Sequence, residues 1–247
     1  MASLQSDDAV LYYEVSGSGP ELVLLHPFPL NHHFWDEVVP ALTTRYRVLT
    51  PDLRGHGESA KPHVPEAYAR EAMAGDVVAL LDRLGAERAD LVGYSLGARI
   101  ALAAALLAPK RFPLVVLGGI GGRLFEPPAS GTPMADAMEA ADPNSIEDPL
   151  LRSFRHFADE QGEDRLALAA LARHRDEPQT RAIVCRVSVP MLVVAGSRDV
   201  LAGDPQILAD AIPGARAVTL PGCDHFSAIP HALFKAAVFD FLDGVPA

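Results

Sequence analysis

Leu91-Val92-Gly93-Tyr94-Ser95-Leu96-Gly97 leads from an apolar, strand-forming run through a serine with glycine two residues before and two after it, and straight into the alanine-rich, apolar stretch Leu96–Leu107. A strand that becomes a helix within one residue leaves no room for side chains at the flanking positions, which is the steric reason for Gly93 and Gly97. A serine at such a turn stands exposed on a strained backbone at a helix N-terminus. Ser95 is therefore a candidate nucleophile, with a plain helix cap as the competing structural role.

Outward from this turn, short Val- and Leu-rich runs predict strands at 11–15, 22–26, 47–52, 90–94, 114–118, 191–195 and 215–220. They alternate with segments of helical period at 66–84, 96–107, 205–211 and 232–242. In 66–84, Ala74, Val77, Val78, Leu81 and Leu84 fall on one stripe, and Gly85 stands where a left-handed C-cap is expected. This alternation predicts an α/β fold, a mostly parallel central sheet with helices on both faces. Residues 119–189 separate two predicted strands by far more than an ordinary loop, so they are expected to form a helical cap inserted in a single domain spanning 1–247. Leu150, Leu151, Phe154 and Phe157 recur there at helical spacing, either packing the cap down or lining a pocket.

A serine hydroxyl needs a base within hydrogen-bond reach. His225 follows the last predicted strand, where a loop can deliver an imidazole over the sheet. The imidazole needs an acid to fix its tautomer, and Asp199 ends Gly196-Ser197-Arg198-Asp199 after the strand at 191–195, with Asp204 and Asp224 as competitors. Oxyanion donors are expected from the N–H groups of Leu96 and Phe28; in His26-Pro27-Phe28-Pro29 both prolines lack an N–H, and a rigid connector is the alternative role of that loop.

The chain has 247 residues, is 49% hydrophobic and carries a formal net charge of -11 with no basic cluster, which argues against a nucleic-acid surface. Cys185 and Cys223 form neither a disulfide framework nor a zinc pattern and are expected to be buried or half-buried thiols in a reducing compartment. Residues 1–8 do not read as a secretory signal, and the longest apolar run, 100–108, is too short to span a bilayer. A soluble cytoplasmic protein without metal, cofactor, membrane or nucleic-acid partner is expected; the oligomeric state is left open.

At these residues the chain resembles the α/β-hydrolase superfamily, in the Gly93 to Gly97 turn, in the Asp199 and His225 loops with their Ser-Asp-His order, and in Pro51-Asp52-Leu53-Arg54-Gly55-His56-Gly57-Glu58-Ser59. The usual role of that last run in the family is structural. Where members commonly have His-Gly, this chain has His26-Pro27. Serine rather than aspartate at position 95 sets it apart from relatives resembling haloalkane dehalogenases and epoxide hydrolases. The resemblance implies a serine hydrolase with a small cap, acting on small esters or lactones through Ser95, Asp199 and His225, with Phe28 and Leu96 binding the substrate oxygen. Hydrolysis of a carbon–carbon bond in a ring-cleavage product is the alternative, with Arg123, Arg152 or Arg155 holding a second carbonyl or carboxylate. A receptor that keeps the triad and moves its cap on binding is a third reading.

Overall fold

Leu22 to Leu25, Val115 to Leu117 and Met191 to Ala195 are each at most 1% exposed. Runs buried on both sides without alternation are the mark of parallel strands covered by helices on either face. The computed structural model describes residues 2–5, 9–127 and 130–244. The remaining residues of the expected single domain, including 128 and 129 of the expected cap, lie outside the described ones.

Among the described residues, eight strands form one sheet: β1 (Ala2–Gln5), β2 (Val10–Gly17), β3 (Glu21–Leu25), β4 (Arg47–Pro51), β5 (Asp90–Tyr94), β6 (Val115–Gly118), β7 (Met191–Gly196) and β8 (Arg216–Leu220), in the order β1-β2-β4-β3-β5-β6-β7-β8. β2 runs antiparallel to β1 and β4, and all the other pairs are parallel. The chain steps outward from β3 to β4 and then returns to β5, so the strand order reverses between β3 and β5; ligands of open α/β sheets bind beyond the carboxyl ends of the strands at such a point. Leu25 pairs with Gly93, so the two chains leave the sheet level with each other, one into His26-Pro27-Phe28 and the other into Ser95. Because β6, β7 and β8 run the same way, the loops carrying Gly119, Asp199 and His225 leave from that same edge.

The helices are α1 (Val39–Leu42), α2 (Arg70–Arg83), α3 (Leu96–Leu107), α4 (Thr132–Glu139), α5 (Pro149–Glu160), α6 (Arg165–Arg173), α7 (Arg181–Val184), α8 (Pro205–Ala209) and α9 (Ala232–Leu242). Met73, Leu80, Leu102 and Leu208 pack α2, α3 and α8 into one core cluster. Leu42, Phe234, Val238 and Phe241 join Trp35 in the cluster containing α1 and α9. α4 to α7 lie between β6 and β7, and a third cluster of Ala135, Met138, Phe154, Ala158, Leu168 and Ala169 holds α4, α5 and α6 together, with Phe28 packed against it. Glu163 fastens this segment to the sheet side: one carboxylate oxygen accepts from Asn31 Nδ2 at 3.0 Å and the other from the Gly57 N–H at 2.8 Å.

Some boundaries differ from expectation. The helix expected over 66–84 is a 3-10 turn over Pro65–Tyr68 followed by α2, because Ala69 is extended (ψ 130) and the Arg70 N–H donates to Asp176 Oδ1 at 3.0 Å. Gly85 does adopt the left-handed conformation, φ +66. The helix expected over 205–211 stops at Ala209, and β1 has no counterpart among the expected strands. The Pro51 to Ser59 run is a structural knot: Asp52 accepts from the His32 and Glu58 N–H groups, each at 2.8 Å, and Arg54 forms a bidentate pair with Asp76.

Two buried histidines of this region are expected to make the fold sensitive to acid. His26 Nδ1–H donates to the Pro27 carbonyl and its Nε2 accepts from the Leu53 N–H at 2.9 Å, while His56 Nδ1–H donates to the Arg54 carbonyl and its buried Nε2 has no hydrogen-bond partner among the described residues. Burial lowers the pKa of His26 to about 4 and of His56 to about 3. The unfolded chain therefore binds these protons first, so their stabilisation is complete above about pH 6.5 and is lost as pH falls toward the folded values. For His56 alone, the stability difference between wild type and His56→Leu should shrink by about 1.4 kcal/mol per pH unit below pH 6.5. Urea unfolding from pH 7 to 4.5 checks this; a difference independent of pH would refute it.

Candidate active site

Ser95 has φ +52 and ψ -109, and among the described residues it is the one non-glycine with positive φ. Such a conformation persists only where the surroundings impose it. A Cβ on Gly93 would clash with the Gly97 carbonyl group, and a Cβ on Gly97 would clash with the Leu25 carbonyl oxygen. Both close approaches are between backbone atoms. Gly97→Ala should accordingly cost about 1–3 kcal/mol, as overpacking does elsewhere, and lower any turnover by displacing the Leu25 to Phe28 backbone. Denaturant midpoints with unchanged slope would register it; an alanine variant as stable as wild type would contradict the fit.

The loops after β7 and β8 are sewn together before they deliver side chains. The Arg198 N–H donates to the Cys223 carbonyl at 2.9 Å, and the Gly222 N–H donates to Ser197 Oγ at 2.8 Å. Asp199 Oδ1 accepts from the N–H groups of Leu201 and Ala202, which leaves Oδ2 to accept from His225 Nδ1 at 2.8 Å. With its proton on Nδ1, the imidazole presents Nε2 as an acceptor to Ser95 Oγ at 3.0 Å. The Tyr94 hydroxyl donates to the His225 carbonyl at 2.7 Å and holds that loop over β5. Asp199 and His225 are 5% and 6% exposed, so solvent competes little with either bond. The structure thus brings together the three residues expected to cooperate. The competing acids are occupied elsewhere: Asp204 caps α8 through the Gln206 N–H, and Asp224 accepts from Phe226, Ser227 and the Ser227 hydroxyl.

Leu96 opens α3, where the first N–H groups have no carbonyl one turn back. Neither its N–H nor that of Phe28 donates to a protein acceptor among the described residues. Phe28 also contributes its ring, 6.0 Å from that of Phe154; Phe154 lies 5.7 Å from Phe226, and Phe226 lies edge-on to His225 at 5.7 Å. Phe157 meets Phe226 as well. The two phenylalanines of α5 therefore pack onto the aromatic surface beside His225.

Beside Ser95, and starting at Leu96, lies a cavity of about 470 Å³ walled by Tyr68, Ile100, Leu124, Leu171 and Leu201 among others; Ser95 and His225 themselves do not line it. Of the arginines expected to hold a second polar group, Arg123 reaches this wall but gives its guanidinium to the Val200 carbonyl and Glu126. Arg152 and Arg155 do not reach it. Arg152 is spent on the carbonyls of Ile146 and Glu147, and Arg155 on Asp159 and the carbonyls of Ala137 and Ala140. Sequence reasoning does not single out Arg99, which lines the cavity; the available signal is one charge in an otherwise apolar helix, one turn after Ser95. Among the described residues no group of three or more His, Cys, Asp or Glu side chains is arranged to hold a metal ion, and no helix is long and apolar enough to cross a membrane. Cys223 is buried but Cys185 is exposed, contrary to expectation, because α7 turns it outward.

A family model described as alpha/beta hydrolase fold matches residues 20–166. The chain is similar to the pimeloyl-[acyl-carrier protein] methyl ester esterase of Methylococcus capsulatus, with 33% identity over 82% of this chain and 84% of that protein. Its similarity to epoxide hydrolase B of Mycobacterium tuberculosis is stronger but shorter, 46% identity over 99 residues, and spans 40% of this chain and 28% of the length of that relative. Among solved structures, an enol-lactonase from Burkholderia xenovorans superposes with a TM-score of 0.84 at 28% identity over 98% of this chain and 100% of its own.

Proposed function

The chain belongs to the α/β-hydrolase fold family, and on that premise we propose that it is a hydrolase that cleaves small carboxylic esters or lactones through an acyl-enzyme on Ser95. The observation that carries this reading is the continuous relay from Asp199 Oδ2 through His225 to Ser95 Oγ, with bonds of 2.8 and 3.0 Å, at the strained turn. His225 Nε2 takes the hydroxyl proton as Ser95 Oγ attacks the substrate carbonyl. The Leu96 and Phe28 N–H groups, free of protein acceptors, receive the oxyanion. On collapse, His225 returns the proton to the leaving alkoxide. Water then attacks the acyl-enzyme, with His225 again as base, and releases the acid. In a lactone the leaving oxygen stays tethered to the acyl group, so the product is a single hydroxy acid.

The serine also bears on the epoxide-hydrolase similarity. Attack by a serine oxygen on a saturated carbon would leave an ether, which water at an imidazole base does not cleave. A carboxylate nucleophile would leave a hydrolysable ester. Turnover through Ser95 therefore calls for an acyl substrate, and the similarity to a methyl ester esterase and an enol-lactonase supports that class.

The reading is tested by mixing the chain with nitrophenyl esters of two to eight acyl carbons and, separately, with simple lactones. An initial burst of about one nitrophenolate per chain, followed by steady turnover, is expected where deacylation is slower than acylation. A folded protein that hydrolyses none of these substrates would overturn it.

A further inference from the structure

Arg99 is the third residue after Leu96 on α3, and its N–H donates to the Ser95 carbonyl at 3.1 Å, so it sits one helical turn beyond the serine. Residues four apart on a helix project from the same side, with Cβ atoms about 5–6 Å apart. The Arg99 side chain enters the 470 Å³ cavity, and among the described residues its guanidinium has no hydrogen bond, ion pair or ring contact. It is accessible to solvent in the cavity, yet the surrounding protein strips away enough water to push its pKa down from the ordinary value, and Arg70 adds to that shift. A guanidinium keeps its charge in such a setting and offers five donors in a planar fork.

Of the other charges of the wall, Asp176 attracts it, but by less than burial and the Arg70 charge oppose it. Glu126 is paired with Arg123. Asp176 is taken by the His174 ring and by the Arg70 N–H. Glu177 points to solvent, and the Arg70 guanidinium bonds its backbone carbonyl. Arg175, also on the wall, reaches the His174 carbonyl at 3.5 Å, so among the described residues Arg99 is the arginine of this cavity without a hydrogen bond, set among the apolar side chains of Leu96, Ile100, Leu124 and Leu171 close to the proposed nucleophile. Leu96, whose N–H is a proposed oxyanion donor, lines the cavity, whereas His225, which must reach the leaving group, does not; this favours the acyl side of the substrate as the part directed into it.

We propose that Arg99 is a specificity-determining residue that receives a carboxylate at the far end of the acyl chain, so that the preferred substrates are half-esters of short dicarboxylic acids or lactones bearing a free carboxylate. This rests on the acyl-enzyme reading above. The apolar wall accommodates the intervening methylenes, and the planar fork pairs with a carboxylate in two parallel hydrogen bonds.

The test compares nitrophenyl hydrogen succinate, glutarate and adipate with neutral nitrophenyl esters of the same acyl length. In wild type, kcat/KM for the acid ester should exceed that for its neutral partner by about tenfold or more at the best length, chiefly through KM. Arg99→Gln should bring that ratio to about one or below, and Arg99→Lys should restore part of it. A wild-type ratio of one or less at every length, or a ratio unaltered by Arg99→Gln, would overturn the assignment while leaving the ester reading intact. Absence of turnover with either kind of ester would instead remove the acyl-enzyme reading. Calorimetric titration with adipate then decides for the residue itself: binding lost in Arg99→Gln supports the anion site, and no binding to wild type ends it.

Discussion

Ser95→Ala is expected to lower the turnover of activated esters by about five to six orders of magnitude while the protein stays folded. Alanine keeps the Cβ, and the backbone around position 95 is imposed by contacts it does not touch: the Ser95 N–H donates to the Gly118 carbonyl, and Gly93 and Gly97 close on neighbouring backbone. What is lost is the one oxygen within reach of His225 Nε2. The residual rate should come from the Leu96 and Phe28 N–H groups and from substrate binding, about 10³- to 10⁴-fold above water. Steady-state kinetics on freshly separated variant, with urea unfolding as the control for structure, gives the comparison. A variant retaining more than about one thousandth of wild-type turnover would mean that the reaction does not pass through this serine.

Asp199→Asn should be the next most damaging change, lowering kcat by about 10⁴-fold. The asparagine oxygen can still accept from the N–H groups of Leu201 and Ala202. Its NH₂ then faces His225 Nδ1 and donates to it, which moves the ring proton to Nε2. An imidazole in that tautomer cannot accept a proton from Ser95. The fold should hold, because the loops after β7 and β8 remain tied through Arg198, Ser197 and Gly222. Combined with Ser95→Ala, the substitution should add little, since the two residues act as one unit. Nearly additive losses would show that Asp199 acts on something other than the His225 to Ser95 pair.

Much of this architecture was legible because it rests on local rules. Strands buried on both faces read as unbroken apolar runs, and five of them could be placed within a residue or two. The Gly-Tyr-Ser-Leu-Gly turn was legible because only glycine fits where a Cβ would meet a carbonyl. Asp199 and His225 followed from the requirement that a base and an acid leave the same sheet edge as the serine.

What escaped depends on contacts between distant segments. β1 is four residues without a β-branched or aromatic side chain, and it is a strand through its pairing with β2. The break at Ala69 goes with a hydrogen bond from Arg70 to Asp176, more than a hundred residues away. Arg152 and Arg155 looked available because sequence does not show which carbonyls surround a guanidinium. Arg99 escaped for the opposite reason: a single charge in an otherwise apolar helix does not show whether its turn faces a cavity or open solvent.

The nucleophile itself can be read directly by exposing the protein to a fluorophosphonate and measuring its intact mass, then locating the modified peptide by fragmentation. A single adduct per chain, carried on Ser95 and abolished by Asp199→Asn or by prior incubation with a good ester substrate, is the expected result. A folded protein that takes up no phosphonate, or takes it up elsewhere with Ser95 unmodified, would contradict an acyl-enzyme at this turn.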